Sequence, residues 1–524
     1  MKIATLWKAN IIVFASSFCV MVIELVAARI LAPQIGVSLY TWTSIIGVIL
    51  AGIALGNYLG GKVADKWASP SLLAIIIFVG TLATLAILPI SKATVAVNWF
   101  SSFHLMLNST LRVITIFFLP AIILSMVSPL VIKLTLADLG KTGGVVGTIY
   151  AFSTVGAIIG TFMTGFFFVL WFGTRMTVWL VVAILIVTGI LAWFSWRIPQ
   201  RWKISIQNSV LIVLAILIIL SAVLLLFTFR NSWRQNYTME TDYYTIQITQ
   251  GSNSDPVTGE PRVLKALLLD HLVHSFVVPE DPTYLGYSYL KIFAEIIKYH
   301  IGDNAAPNIL YLGGGGYCLP RYMDYKYPGG TNEVVEIDPM VTEIAHQELG
   351  LSRDTKIITY NQDARMFFSD HNDTQGKYDF VVGDVYNDMS VPYHLTTLEF
   401  DKIVKASLKP DGIYLVNIID EYYQGKFLAT IINTLKHTFK HVYLVSDKDF
   451  YEYLFRNTFV IIATDNPMDM DEFEASVSKN NYRLGLIVHD QKLLEEYLAT
   501  KQPIVLTDDY APTDSLVAPL YSRP

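Results

Sequence analysis

Acidic residues are nearly missing from the first half of this 524-residue chain: positions 1–236 hold three, Glu24, Asp65 and Asp138, against 15 lysines and arginines. Charged residues of all kinds make up 16% of the chain, where roughly 25% is usual in soluble proteins. With 53% hydrophobic residues, a wholly soluble or disordered chain is excluded. Cysteine is scarce as well. Cys19 and Cys318 alone exclude a disulfide framework and a cysteine-based metal cluster, and no metal is expected. The other 41 acids crowd into positions 237–524 with 23 bases. That net negative half excludes a nucleic-acid surface, which needs clustered positive charge. Two chemically different parts are therefore joined, with the boundary expected at 232/233.

What the first part does have is long apolar runs. A spanning helix needs about 20 mostly apolar residues. Seven such segments lie near 10–32, 39–60, 71–90, 111–136, 145–171, 174–196 and 208–229, with a more polar, amphipathic stretch at 94–108. Residues 1–232 are thus expected to form a multi-span helical membrane domain of about seven helices, with the lipid bilayer as partner. Glu24 sits inside the first span and is expected to face the bundle interior, paired with Arg29 or with backbone, or else to form a polar site there. Glycines recur at roughly helical spacing along the second span (Gly47, Gly52, Gly56, Gly60, Gly61) and the fifth (Gly143, Gly144, Gly147, Gly156, Gly160, Gly165), a pattern that lets helices approach closely. With the N-terminus inside, the loops divide nine basic residues to six in favour of that side. Seven crossings then place the second part outside the cytoplasm, with the cell membrane the setting expected from composition.

The second part changes period. Residues 243–249 and 263–269 alternate like strands, and a helix is expected over 284–299, so 233–300 reads as a small β-section and linking helix. The diagnostic stretch follows within 301–524. The buried-strand run Asn308-Ile-Leu-Tyr-Leu312 leads into Gly313-Gly314-Gly315-Gly316, then a helix-length gap, then Val334-Val-Glu336-Ile-Asp338. Strand, glycine turn, helix and strand, with an acid about 20 residues on, is the pattern of a Rossmann-like nucleoside site. The glycines admit a ligand close to the backbone and the acid accepts from ribose hydroxyls. Further strands at 356–359 and 378–382 end at Asp363-Ala364 and at Asp384. In open α/β sheets ligands bind at the carboxyl ends of strands. Glu336, Asp363 and Asp384 all fall there, one per successive strand, although each alone could be a turn residue or a helix cap.

At this point the chain resembles a known family. Leu310-Tyr-Leu-Gly-Gly-Gly-Gly316, Arg321, Val334-Val-Glu-Ile-Asp338, Asp363-Ala364, Tyr378-Asp-Phe-Val-Val-Gly-Asp384 and Leu408-Lys-Pro-Asp-Gly412 are similar to the polyamine aminopropyltransferases, the spermidine synthase family. The likeness covers about 239–465, and the whole chain resembles membrane-fused spermidine synthase-like proteins. It implies an α/β Rossmann-like, methyltransferase/spermidine-synthase-type fold and a transferase that uses decarboxylated S-adenosylmethionine, or S-adenosylmethionine itself. It also implies a homodimer. Carried over, the resemblance gives the cofactor Gly313, Gly314, Gly315, Glu336, Asp338, Asp363 and Ala364, with Glu336 on the ribose and Asp363 on the adenine edge. Asp384 orients and deprotonates the attacking amine, and Tyr243, Tyr244, Tyr287, Asn387 and Asp388 surround the substrate. The chain departs from the family where Gly316 replaces an acid, where Tyr287-Ser288-Tyr289 replaces Tyr-His-Glu, and where Asn387 replaces a second acid. The nucleoside half is better kept than the amine half.

Two other readings stand beside this one. An extracytoplasmic enzyme of the same fold could act without an adenosyl cofactor on an envelope glycan or lipid-linked substrate through Asp384 and His394. Alternatively, the bundle moves or senses a polyamine that the second part only binds.

Overall fold

The computed structural model describes residues 3–36, 38–96, 105–136, 142–195, 238–254, 261–303, 305–386, 391–446, 456–479, 484, 486–488 and 491–522. The chain divides into two compact units, Met1–Gln235 with Glu240–Asp242, and Asn236–Met239 with Tyr243–Pro524.

In the first unit six helices among the described residues are long and apolar enough to cross a membrane: Leu6–Ile35, Leu39–Trp67, Pro70–Thr94, Met106–Thr135, Thr142–Phe168 and Trp171–Phe194. They follow the first six expected segments. The seventh, 208–229, and most of the polar stretch at 94–108 lie outside the described residues. The third helix continues to Thr94, past its expected end, because Thr94 is buried and hydrogen-bonds the Ser91 carbonyl. Close approach explains part of the glycine pattern. A Cβ on Gly56 would lie 2.2 Å from the Ile122 carbonyl oxygen, and one on Gly156 would lie 2.4 Å from that of Phe14. Gly47, Gly61, Gly143, Gly144, Gly147 and Gly165 have open space around them instead, so spacing alone overstated the contact face.

The second unit holds two sheets. Strands β1 (Thr238–Glu240), β2 (Thr245–Ser254), β3 (Pro261–Leu269) and β4 (Leu272–Val277) form the smaller one, in that order. The larger contains β5 (Asn308–Leu312), β6 (Thr331–Val335), β7 (Ile358–Tyr360), β8 (Tyr378–Gly383), β9 (Leu408–Asp420), β10 (His441–Ser446), β11 (Asn457–Thr464) and β12 (Leu486–Val488). Their order is β12-β10-β11-β9-β8-β5-β6-β7. Strands β5 to β9 run parallel, while β10, β11 and β12 join antiparallel. This is the Rossmann-like, methyltransferase-type sheet expected from the sequence. Both faces are covered, as parallel sheets require. Ile309 and Tyr311 of β5 belong to one apolar cluster, Leu310 and Leu312 to the other.

Strand order reverses between β5 and β8, where a crevice opens at their carboxyl ends. The motif Leu408–Gly412 forms a bulge inside β9: pairing with β8 jumps from Tyr378/Leu408 to Phe380/Ile413. Sequence reading missed β4, whose His274 and Ser275 interrupt any apolar alternation.

Arg321 is structural. Buried in the helix Cys318–Lys326, it donates to the carbonyls of Leu349 at 2.8 Å and Pro279 at 2.7 Å, tying two loops together. Arg321→Met leaves both acceptors unpaired. It should destabilise this unit by about 2–4 kcal/mol, seen as a lower Tm with nucleoside absent.

Candidate functional site

The crevice holds a cavity of about 330 Å³. Its lining comes from the ends of β5, β6, β7, β8 and β9 and from the smaller sheet: Tyr244, His274, Ser275, Tyr287, Tyr289, Gly313–Gly315, Glu336, Asp363, Ala364, Asp384, Tyr386 and Asn417 among others. The three acids expected at one rim thus meet around one hollow.

The glycine turn exists because two strand ends nearly touch. Gly313 has φ of +93°, and a Cβ there would sit 2.3 Å from the carbonyl oxygen of Asp384. Only glycine tolerates both conditions. Next to it, the Glu336 carboxylate accepts from the N–H groups of Gly314 (2.8 Å), Gly315 (3.2 Å) and Asp338 (3.0 Å). Burial pushes its pKa up, and these three amides pull it partly back.

Asp363 does two jobs. One carboxylate oxygen caps the helix Ala364–Asp370, accepting from Arg365 N–H at 2.8 Å and Met366 N–H at 3.1 Å. The other lies 2.9 Å from His394 Nε2, and that hydrogen bond holds Asp363 below the usual carboxylate range. The helix-cap reading and the pocket reading of this residue are both realised.

Asp384 is held by side chains on both oxygens. It accepts from Tyr289 Oη at 2.8 Å on one oxygen and from Asn417 Nδ2 at 2.8 Å on the other. Burial raises its pKa, and the two donors moderate the shift. Tyr287 stacks beside Tyr289 with centroids 5.7 Å apart and donates to the Val273 carbonyl at 2.7 Å. Burial, and then the Asp384 charge, push the Tyr287 phenol up to about 12. Cys318 also lines the cavity, but burial pushes its thiol up to about 11, so it is no thiolate nucleophile near neutral pH.

Several expected residues stand elsewhere. His394 is engaged by Asp363 rather than Asp384, so the Asp384/His394 pair is not formed; the turn Tyr393–Leu395 places it beside the end of β7. Asp338 caps the helix Pro339–Glu348, accepting from Met340 N–H at 2.9 Å, and does not line the cavity. Tyr243 is exposed and also off the lining, unlike Tyr244. Asn387 and Asp388 lie outside the described residues. Reading the sequence missed Tyr289, Asn417 and Ser275. Asn417 was within reach, since it lies on β9 at the same carboxyl rim.

Gly316 has a spatial reason. Its N–H donates to Ser275 Oγ at 2.9 Å, and a Cβ on it would lie 2.6 Å from the Ser275 Cβ. Strand β4 therefore occupies the space where a side chain at 316 would go.

Residues 292–453 match the family described as spermine/spermidine synthase domain. The second unit carries a spermidine synthase-like domain. Polyamine aminopropyltransferase 2 of Aquifex aeolicus is 28% identical over 173 residues, 32% of this chain and 34% of the relative. The polyamine aminopropyltransferase of Vibrio vulnificus is 32% identical over 109 residues, 21% of this chain and 36% of the relative. The chain thus spans about a third of the length of these curated relatives. Among solved structures, a probable spermidine synthase from Corynebacterium glutamicum is similar at 19% identity and a TM-score of 0.44, covering 52% of this chain and 96% of that one.

The raised pKa of Asp384 makes a stability prediction. A carboxyl whose folded pKa is raised favours folding when protonated, so that benefit is lost as pH rises through the folded value. Asp384→Asn removes the buried charge, and the Tyr289 hydroxyl can turn to accept from the new amide. The variant should melt above the parent at pH 8, and the gap should close as pH falls toward the ordinary aspartate range.

Proposed function

We propose that this protein is a membrane-anchored, spermidine synthase-like transferase that moves an alkyl group from a decarboxylated S-adenosylmethionine-type donor to an amine. The observation that carries the reading is the cavity itself: a glycine turn and three strand-end acids, each held differently, around one hollow. The residues present suit a nucleoside. Backbone at Gly313–Gly315 leaves room for close approach, Glu336 faces the hollow beside it, and Asp363 with Ala364 forms the neighbouring wall.

A bound donor would supply a carbon made electrophilic by an adjacent sulfonium. The chain's own task is then to present a neutral amine in line and to take its proton. Asp384 is suited to that. Its raised pKa brings it nearer neutrality as a base, and Tyr289 and Asn417 fix both oxygens without supplying a competing charge. The aromatic wall of Tyr244, Tyr287 and Tyr289 excludes water around the reacting amine. The six apolar helices provide the anchor.

Calorimetry on the purified full chain should show methylthioadenosine binding, and silence at millimolar nucleoside would sink the proposal. Glu336→Gln should weaken that binding. Asp384→Asn should leave binding within a few-fold and lower transfer to an amine by about 10²–10⁴, the span of general-base catalysis.

A further inference from the structure

Far from the cavity in sequence, one carboxylate inside an apolar helix has no partner among the described residues. Glu24 lies inside the helix Leu6–Ile35 and is 9% exposed. It forms no hydrogen bond or ion pair with any described residue. Arg29, the partner expected from the sequence, is committed elsewhere in the same compact unit: it donates to the carbonyls of Thr241, at 2.9 Å, and Asp242. Gln34, farther along the same helix, shows the contrast. It donates to Ser91 Oγ at 2.6 Å and accepts from Arg112 Nη1 at 3.1 Å.

Two other stretches of this unit lose their regular α-helical winding in a π-helical turn. Gly156 and Gly160 pack on the carbonyls of Phe14 and Phe18, and Phe168, in the π-helical turn Thr164–Phe168, meets the Phe18 ring with centroids 6.1 Å apart. On an antiparallel neighbour, Ser16 bonds the Leu124 carbonyl and Gln34 bonds Arg112. The π-helical turn Ile114–Phe118 lies in the stretch between those two contacts. Such turns interrupt the regular backbone ladder and recur at functional sites. A bare carboxylate flanked by hydrocarbon is costly, so an unpaired one is neutralised by a bound proton or cation.

We propose that Glu24 is an exchangeable cation site of the helical unit: its carboxyl binds a proton, and a monovalent cation, metal or ammonium, displaces that proton. The inference rests on reading these helices as membrane spans, which carbonate extraction of membranes checks separately; release of the protein by carbonate would remove the anchor reading itself. The site is tested on the full chain in membrane vesicles with dicyclohexylcarbodiimide, which modifies protonated carboxyls in apolar surroundings, followed by peptide mass spectrometry. Glu24 should be modified, at a rate that falls about tenfold per pH unit above its titration point. Sodium, potassium or methylammonium should slow the modification several-fold, and the effective ion identifies the source of the charge. An unmodified Glu24, or one indifferent to pH and to all three cations, overturns the proposal. In detergent the same cation should raise the Tm of the parent but not of Glu24→Gln; equal shifts in both would also overturn it.

Discussion

The gap between the carboxyl ends of β5 and β8 governs the second unit. Gly313 passes so close to the Asp384 carbonyl that no side chain fits between them. This contact turns the chain at the glycines, presents Gly314 and Gly315 N–H groups to Glu336, and holds Asp384 at the mouth of the crevice. It also falls where strand order reverses, which is where the helices that follow neighbouring strands diverge and leave a hollow.

Around that hollow three carboxyls of similar intrinsic acidity are driven apart. His394 holds Asp363 low, whereas burial raises Glu336 and Asp384. Glu336 spends its oxygens on three backbone amides. Asp384 alone is held by neutral side-chain donors, a phenol and an amide, which orient it without removing its basicity. Separated acidities of this kind are how one site assigns different roles to like residues.

The smaller sheet shapes the site as much as the Rossmann-like sheet does. Ser275 of β4 fills the space beside Gly316 and takes its N–H, while Tyr244 of the segment before β2 lines the same hollow. In the helical unit, glycine plays a different part. At Gly56 and Gly156 it allows one helix to rest on the backbone of another, the contact that dispersion and close packing favour where solvent gives no hydrophobic drive.

Much was legible from residues alone. Long apolar runs require helices, a strand–glycine–strand pattern with an acid at its end requires a Rossmann-like turn, and strand-end positions put Glu336, Asp363 and Asp384 on one rim, because these follow from local periodicity and from the fixed hand of βαβ units. Partner choice did not follow. That His394 serves Asp363 rather than Asp384, and that Tyr289 and Asn417 hold Asp384, depend on elements distant in sequence meeting across the crevice. Spacing shows which backbone positions share a rim; only packing decides which side chains come within hydrogen-bond reach.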